Sequence, residues 1–301
     1  MKFIILFFLT FTCYDIVAQI QIQVKTEYLG ESSYRKTDGK TYQKVGDAKG
    51  SAVIYQADVH IPLSVKLNEK NRPTIWSISG RFAQARLNNR NFDEPIVTDR
   101  IMNVGLNLNH LRPLNDKWSI MASIGGGTYM PSTEFSQIRF KNTLGSIGTV
   151  FIYHLRSNLD LGVGAAINNS FGYPMLFPAL YLNWKMERKY NVEINVLDGL
   201  EMCFRYDLNN IFRLNVIGEM NGQTALLEQD GKDKIFSHAY IIGGVRPEIK
   251  IGDNIFLNVT AGINAWRPSQ MTERTIKSIF KKQQYYFKAS PYVATQLKIV
   301  L

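Results

Sequence analysis

The feature that most constrains this chain is a period of two in its hydrophobicity, held over unusually long runs. From Val53 to Leu67 every odd position is apolar or aromatic, while the even positions carry Gln56, Asp58, His60, Ser64 and Lys66. Met102, Val104, Leu106 and Leu108 alternate with Asn103, Gly105, Asn107 and Asn109; Ile255, Leu257, Val259, Ala261 and Ile263 alternate with Asn258, Thr260, Gly262 and Asn264. Successive side chains of a strand point to opposite faces, so each run reads as a strand with one apolar and one polar face. Several last about 13 to 16 residues, where strands of soluble sheets usually have about 5 or 6. A tilted strand crosses a bilayer in about 9 to 11 residues, and after the first residues no stretch reaches the roughly 18 to 20 apolar residues of a membrane helix. The expected fold is all-β, a transmembrane antiparallel up-and-down β-barrel, whose closure satisfies every backbone group within the wall.

Strands are read near 20–29, 51–67, 73–87, 98–111, 117–129, 145–155, 158–169, 176–187, 190–197, 200–207, 210–219, 237–251, 254–266 and 286–301. Apart from a two-residue turn at Asp198-Gly199, the connections alternate long and short, with 30–50, 220–236 and 267–285 among the long ones. Barrels of the outer membrane pair tight periplasmic turns with long external loops. The total is 14 strands; if the short pair at 190–207 is miscounted it is 12. Trp76, Trp118, Tyr129, Phe151, Trp184, Tyr206, Phe212 and Trp266 lie toward strand ends, where interfacial girdles form.

Met1-Lys2, the apolar run Phe3 to Phe11 and a small residue at Ala18 read as a secretory signal peptide over 1–18, leaving 19–301 as the barrel domain. Cys13 follows Thr10-Phe11-Thr12, which lacks the aliphatic and small residues of a lipid-attachment box. Without the leader Cys203 is the lone cysteine, so no internal disulfide is expected. The 35 Lys+Arg against 25 Asp+Glu give a net charge of +10, which favours an anionic partner. The basic residues are scattered, with no recognisable binding module, so nucleic acid is not expected. The expected partners are outer-membrane lipid, lipopolysaccharide and the barrel-insertion machinery, and the location is the cell outer membrane.

Phe177-Pro178-Ala179-Leu180-Tyr181-Leu182-Asn183-Trp184-Lys185 with the hairpins after it, and the closing strand to Leu301, carry a further signal. In these segments and in overall layout the chain resembles a family of uncharacterised Gram-negative outer-membrane β-barrels, a domain of unknown function. The resemblance implies the barrel fold and brings neither substrate nor catalytic residues. Such barrels generally end in an aromatic residue that the insertion machinery reads; this chain ends in Leu301.

If the alternation holds, Lys185, Glu187, Glu193, Glu201, Arg205, Asp207, Arg213, Glu219, Arg246, Glu248 and Lys250 face the lumen. They form either an ion-pair network that fills the barrel or a charged pathway that selects a solute. Both are open, because about 14 strands lies between small filled barrels and 16-stranded porins. The segment 267–285 carries Arg267, Arg274, Lys277, Lys281 and Lys282 against Glu273, suiting either contact with lipopolysaccharide phosphates or a cap over the mouth. Ser269 to Phe280 has the pattern of a short amphipathic helix. His60, His110, His154 and His238 lack metal-ligand spacing, so no metal or cofactor is expected. Gly125-Gly126-Gly127 points to close strand packing or a bend, with no helix after it to make a phosphate loop. There is no G-x-S-x-G, P-loop or paired-cysteine motif. The reading is a passive channel or structural membrane component with no catalytic residue. The alternatives are a lipid-modifying barrel enzyme, which needs a Ser, a His and an acidic residue converging on the outer-leaflet side, and a soluble exported β-protein that binds a ligand and has no lipid-facing belt.

Overall fold

In a computed structural model the described residues are 19–37, 41–92, 98–168, 175–186, 189–196, 200–275 and 285–301. The alternating runs form β1 (Gln21–Thr37), β2 (Tyr42–Leu67), β3 (Pro73–Arg90), β4 (Arg100–Pro113), β5 (Trp118–Met130), β6 (Thr143–Arg156), β7 (Leu159–Asn168) and β8 (Met175–Met186). They continue as β9 (Tyr190–Asn195), β10 (Leu200–Asp207), β11 (Phe212–Gln229), β12 (Lys232–Lys250), β13 (Ile255–Glu273), β14 (Tyr285–Phe287) and β15 (Ser290–Val300). Each of β1 to β13 pairs antiparallel with its neighbour in sequence, and β15 pairs with both β13 and β1, so the sheet closes. Ile22 stands opposite Ile299 and Val24 opposite Leu297 along the seam. Ile20 and Leu301 exchange backbone hydrogen bonds of 3.0 and 2.8 Å at its end. Because β14 and β15 occupy one position, the ring has 14 strands.

The outer surface carries a belt of exposed apolar residues: Val24 and Tyr28, Leu106, Ile124, Ile147, Val163, Leu180, Val216, Val245, Val259, Ile263, Val293 and Leu297. Their strand neighbours Lys25, Glu27, Asn258, Thr260 and Gln296 are buried inside. A closed ring with a greasy exterior and a polar interior is stable only in hydrocarbon, and this is a transmembrane β-barrel of the outer-membrane type. The belt runs over 20–28 on β1, 255–263 on β13 and 293–301 on β15, about the 9 to 11 residues a tilted strand needs. At the end where Ile20 and Leu301 meet, the turns are short and three of them share one device. The side-chain oxygens of Asn68, Asn115 and Asn209 each accept hydrogen bonds from backbone N–H groups two to four residues on. Trp76, Trp118 and Trp184 are exposed at this rim. Trp76 stacks on His110 with ring centroids 4.0 Å apart.

The opposite end departs from expectation. The segments 30–50 and 220–236 are not long loops, since β1 continues to Thr37, β2 starts at Tyr42, and β11 and β12 run to a tight turn. That turn has Asp230 at φ 55° and Gly231 at φ 69°, the left-handed pair a two-residue hairpin loop requires. Ser269 to Glu273 is strand, not the start of a helix; the rest of that expected helix, like the Asp198-Gly199 turn and the leader 1–18, lies outside the described residues. Bulges interrupt β1 between Leu29 and Ser32, and β13 at Ala265, where Ile241 and Ile242 pair with Trp266 and Asn264. Lys288 and Ala289 separate β14 from β15 at the same level. An extra residue reverses the alternation above it. Phe287, which an unbroken pattern places outside with Val293, is therefore buried inside beside Tyr34. Gly30 sits on this line, where a Cβ would come within 2.9 Å of the Pro291 carbonyl oxygen.

Above the bulges the β11–β12 hairpin crosses the barrel mouth. Gln223, Thr224, Ala225 and Leu226 are buried in succession, as are Ile235 and Phe236. A wall strand buries only alternate residues, so burial of both faces means that protein lies on both sides. Ala225, Phe236, Tyr240 and Ile242 pack on Leu29, Ala52, Ile54, Ala85, Leu87 and Ile101 of β1 to β4. Leu226 and Ile235 pack on Leu144 of β6, with Tyr129 of β5 against them, so Tyr129 lies inside the mouth and not in a girdle. Asn103 of β4 clasps the hairpin with both ends of its amide, donating to Thr224 O at 2.6 Å and accepting from Thr224 N at 3.0 Å. Gly125 and Gly127 reflect close strand packing: a Cβ at Gly127 would lie 2.8 Å from the Val104 carbonyl oxygen, and one at Gly125 would collide with that of Leu106.

Candidate functional site

The period-two pattern places charges from three strands at mid-height in the lumen. Glu27 of β1 is wholly buried and takes Lys25 Nζ at 2.7 Å and the Tyr240 hydroxyl at 2.8 Å. The Tyr292 hydroxyl of β15 also donates to it. Lys25 reaches across to Glu219 of β11 at 3.4 Å, and Glu219 is paired with Arg246 of β12. Arg246 Nε donates to Thr260 Oγ1 at 3.0 Å, and Asn221 Nδ2 to Glu219 at 3.2 Å. Two carboxylates and two cations with hydroxyl and amide support make a neutral cluster, the form in which buried charges are tolerated.

The other expected lumen residues lie nearer the periplasmic rim. Arg213 bridges Glu248 at 2.9 Å and Asp207 at 3.3 Å. Arg205 Nε donates to Asn215 Oδ1 at 3.3 Å, Cys203 Sγ contacts the same oxygen at 3.6 Å, and Glu193 accepts from Asn191 at 2.6 Å. Glu201 faces inward yet is exposed, and Lys185 and Lys250 face inward half-buried. Arg81 and Asp58, which also face inward, pair at 2.9 Å with side chains 61% and 31% exposed, so water enters this end of the barrel. Glu187, Lys277, Lys281 and Lys282 lie outside the described residues; Arg274 donates to the Lys141 carbonyl at 3.0 Å over the mouth.

Sequence reading missed Lys25 and Glu27 although they alternate with Val24, Thr26 and Tyr28 like any lumen pair. It placed Arg267 in a basic external segment and His238 among isolated histidines, whereas the two meet in the buried interior. Arg267 is buried with its guanidinium carbon over the face of the Phe287 ring, 3.9 Å from the centroid, and its Nε donates to His238 Nε2 at 2.9 Å. Finally, Ser119 of β5, His154 of β6 and Asp160 of β7 meet inside the periplasmic end, with Ser119 Oγ 2.8 Å from His154 Nε2 and His154 Nδ1 2.7 Å from Asp160 Oδ1. Only the spacing of His154 and Asp160 across one tight turn was visible beforehand. Among the described residues no three His, Cys, Asp or Glu side chains are grouped as metal ligands.

The family described as a domain of unknown function (DUF6268) matches residues 14–300. No curated protein matches. Solved structures with a similar course include the COG4313 outer membrane channel from Pseudomonas putida F1, 10% identical, covering 97% of this chain and 100% of that one with a TM-score of 0.47. The translocator domain of the autotransporter NalP from Neisseria meningitidis is 10% identical over 94% of this chain and 88% of that one, TM-score 0.40. The outer membrane protease OmpT from Escherichia coli is 10% identical over 97% and 100%, TM-score 0.34. The likeness is to their general course alone and carries none of their activities.

Proposed function

The chain belongs to the DUF6268 family, a domain of unknown function, and from that premise we propose that it is a channel-type barrel of the outer membrane stopped by its own hairpin. The observation that carries the reading is the two-sided burial of residues 223–226 and 235–236 across the mouth. The periplasmic half is a hydrated vestibule lined by Arg81, Asp58, Glu201 and the Arg213 cluster. The outer half is filled by the apolar hairpin and, beneath it, by the neutral Lys25–Glu27–Glu219–Arg246 cluster. Passage therefore needs the hairpin to withdraw, and the charges beneath it then set which ions or solutes cross. Its partners in this reading are the lipid around the belt, lipopolysaccharide phosphates near Arg274 at the outer rim, and the insertion machinery at the closing strand.

The test is conductance in planar bilayers. The full barrel is expected to be closed for most of the record. A variant lacking 224–237, with the cross-strand partners Gln223 and His238 joined through Asn-Gly, is expected to give discrete steps. If the shortened barrel inserts and stays silent at all voltages, the channel reading is wrong and the protein is a structural component of the membrane.

A further inference from the structure

Ser119, His154 and Asp160 stand on three neighbouring strands, on the lumen side, at the hydrated end. The pairing holds them there: His154 is opposite Asp160 in the β6–β7 register, and Ser119 is opposite Ile152, two residues from His154 on the same face. Asp160 on Nδ1 keeps the ring proton on that nitrogen. The Nε2 lone pair then faces the Ser119 hydroxyl, a nucleophile beside a general base that a third group orients. Beside this chain the lumen wall turns apolar. Met121 is two residues from Ser119 on β5, and Ile152 two from His154 on β6; with Val150, Ala166, Ala179 and Tyr181 they form one cluster. Such a patch is unexpected in the periplasmic half of the lumen, otherwise lined by ions and amides, and it suits a hydrocarbon chain.

We propose that Ser119, His154 and Asp160 form a hydrolytic site for carboxylic esters of apolar acyl chains, entered from the periplasmic side. Ser119 Oγ attacks the ester carbonyl carbon while His154 Nε2 takes its proton. The ester C–O bond breaks and the alcohol leaves with that proton. Water then adds to the acyl-Ser119 carbonyl, giving one proton to His154; the acyl–Oγ bond breaks, the carboxylic acid departs and Ser119 recovers the proton. One water is consumed and nothing is oxidised or reduced. The site lies at the periplasmic end, not on the outer-leaflet side where a barrel lipid enzyme was anticipated.

The test uses the full protein in detergent micelles with a fluorophosphonate probe and with nitrophenyl butyrate and laurate. The wild type is expected to be labelled at Ser119, located by mass spectrometry, and to cleave laurate faster than butyrate. Ser119→Ala should abolish labelling and turnover. Asp160→Asn, which keeps the side-chain shape but favours the wrong tautomer, should lower turnover by up to about 10⁴-fold. Both variants should retain the heat-modifiable gel migration of a folded barrel, which separates lost chemistry from lost fold. Wild-type labelling no greater than that of Ser119→Ala, or equal turnover by folded Asp160→Asn, overturns the proposal. Neither outcome depends on whether the barrel conducts.

Discussion

Acidification should loosen the hairpin that fills the mouth, through His238. This ring on β12 is almost fully buried, above the membrane belt. Its Nε2 accepts from Arg267 Nε of β13 at 2.9 Å, so its proton sits on Nδ1, which donates to Gln223 Oε1 of β11 at 3.2 Å. Tyr240 lies 5.6 Å away by ring centroids, and Tyr34 of β1 and Phe287 of β14 border Arg267. Burial first, and then the Arg267 guanidinium, hold the imidazole well below its usual range. A proton on Nε2 would break the bond from Arg267 and set two cations face to face. Once the hairpin lifts, the ring meets water and titrates near about 6.5. The lifted form thus binds more protons below that pH. Docking is at full strength above about pH 6.5 and loses about 1.4 kcal/mol, a factor of about ten, for each further unit of acidity. Glu228, held low by its hydrogen bond from Lys141 at the hairpin tip, is exposed and bears on docking only toward its ordinary value of about 4.3. Amide hydrogen exchange over 223–236, corrected for intrinsic rates, should therefore be about tenfold faster at pH 5.5 than at pH 7.5. His238→Gln, which can still accept from Arg267 but does not titrate, should flatten the dependence. Equal protection at the two pH values in the wild type, or the same slope in His238→Gln, refutes the reasoning.

Two further outcomes follow from the wall itself. Lys25→Met leaves Glu27 and Glu219 buried with Arg246 as their remaining cation, and should cost about 3 to 5 kcal/mol, read as a lower unfolding temperature by gel mobility. Val259→Arg puts a charge in mid-belt, where the side chain is exposed to lipid, and should cost about 2 to 4 kcal/mol in urea titrations from vesicles. Tyr42→Arg, exposed beyond the belt, should leave the same titration unchanged.

The barrel was legible because the bilayer imposes one rule on every strand, and that rule is written as alternation within each run. All 14 strand positions could be counted from it. Above the belt the rule lapses: Gly46 to Gly50 and Gly222 to Leu227 meet water or other protein, lose the apolar period and so read as loops. The two-sided burial of Ala225 and Leu226 depends on which distant walls they meet, Ile54 on one side and Leu144 on the other, and no local pattern encodes that. Bulges hid a second set of residues, since a single extra position at Ala265 or Lys288–Ala289 carries Arg267 and Phe287 to the face opposite the one that unbroken counting assigns. Ser119 escaped notice for a different reason. Its partners lie 35 and 41 residues on, and only strand register brings them within reach.

The reciprocal bonds between Ile20 and Leu301 make the opening and closing strands of the ring immediate neighbours. The first strand must wait, unpaired on one side, until the last has emerged, so the ring shuts in a single late event. A covalent joint of a few residues between Ile20 and Leu301 would remove that wait. New ends could then be cut at Asp230-Gly231, giving a circularly permuted barrel that keeps every rung of the original ladder.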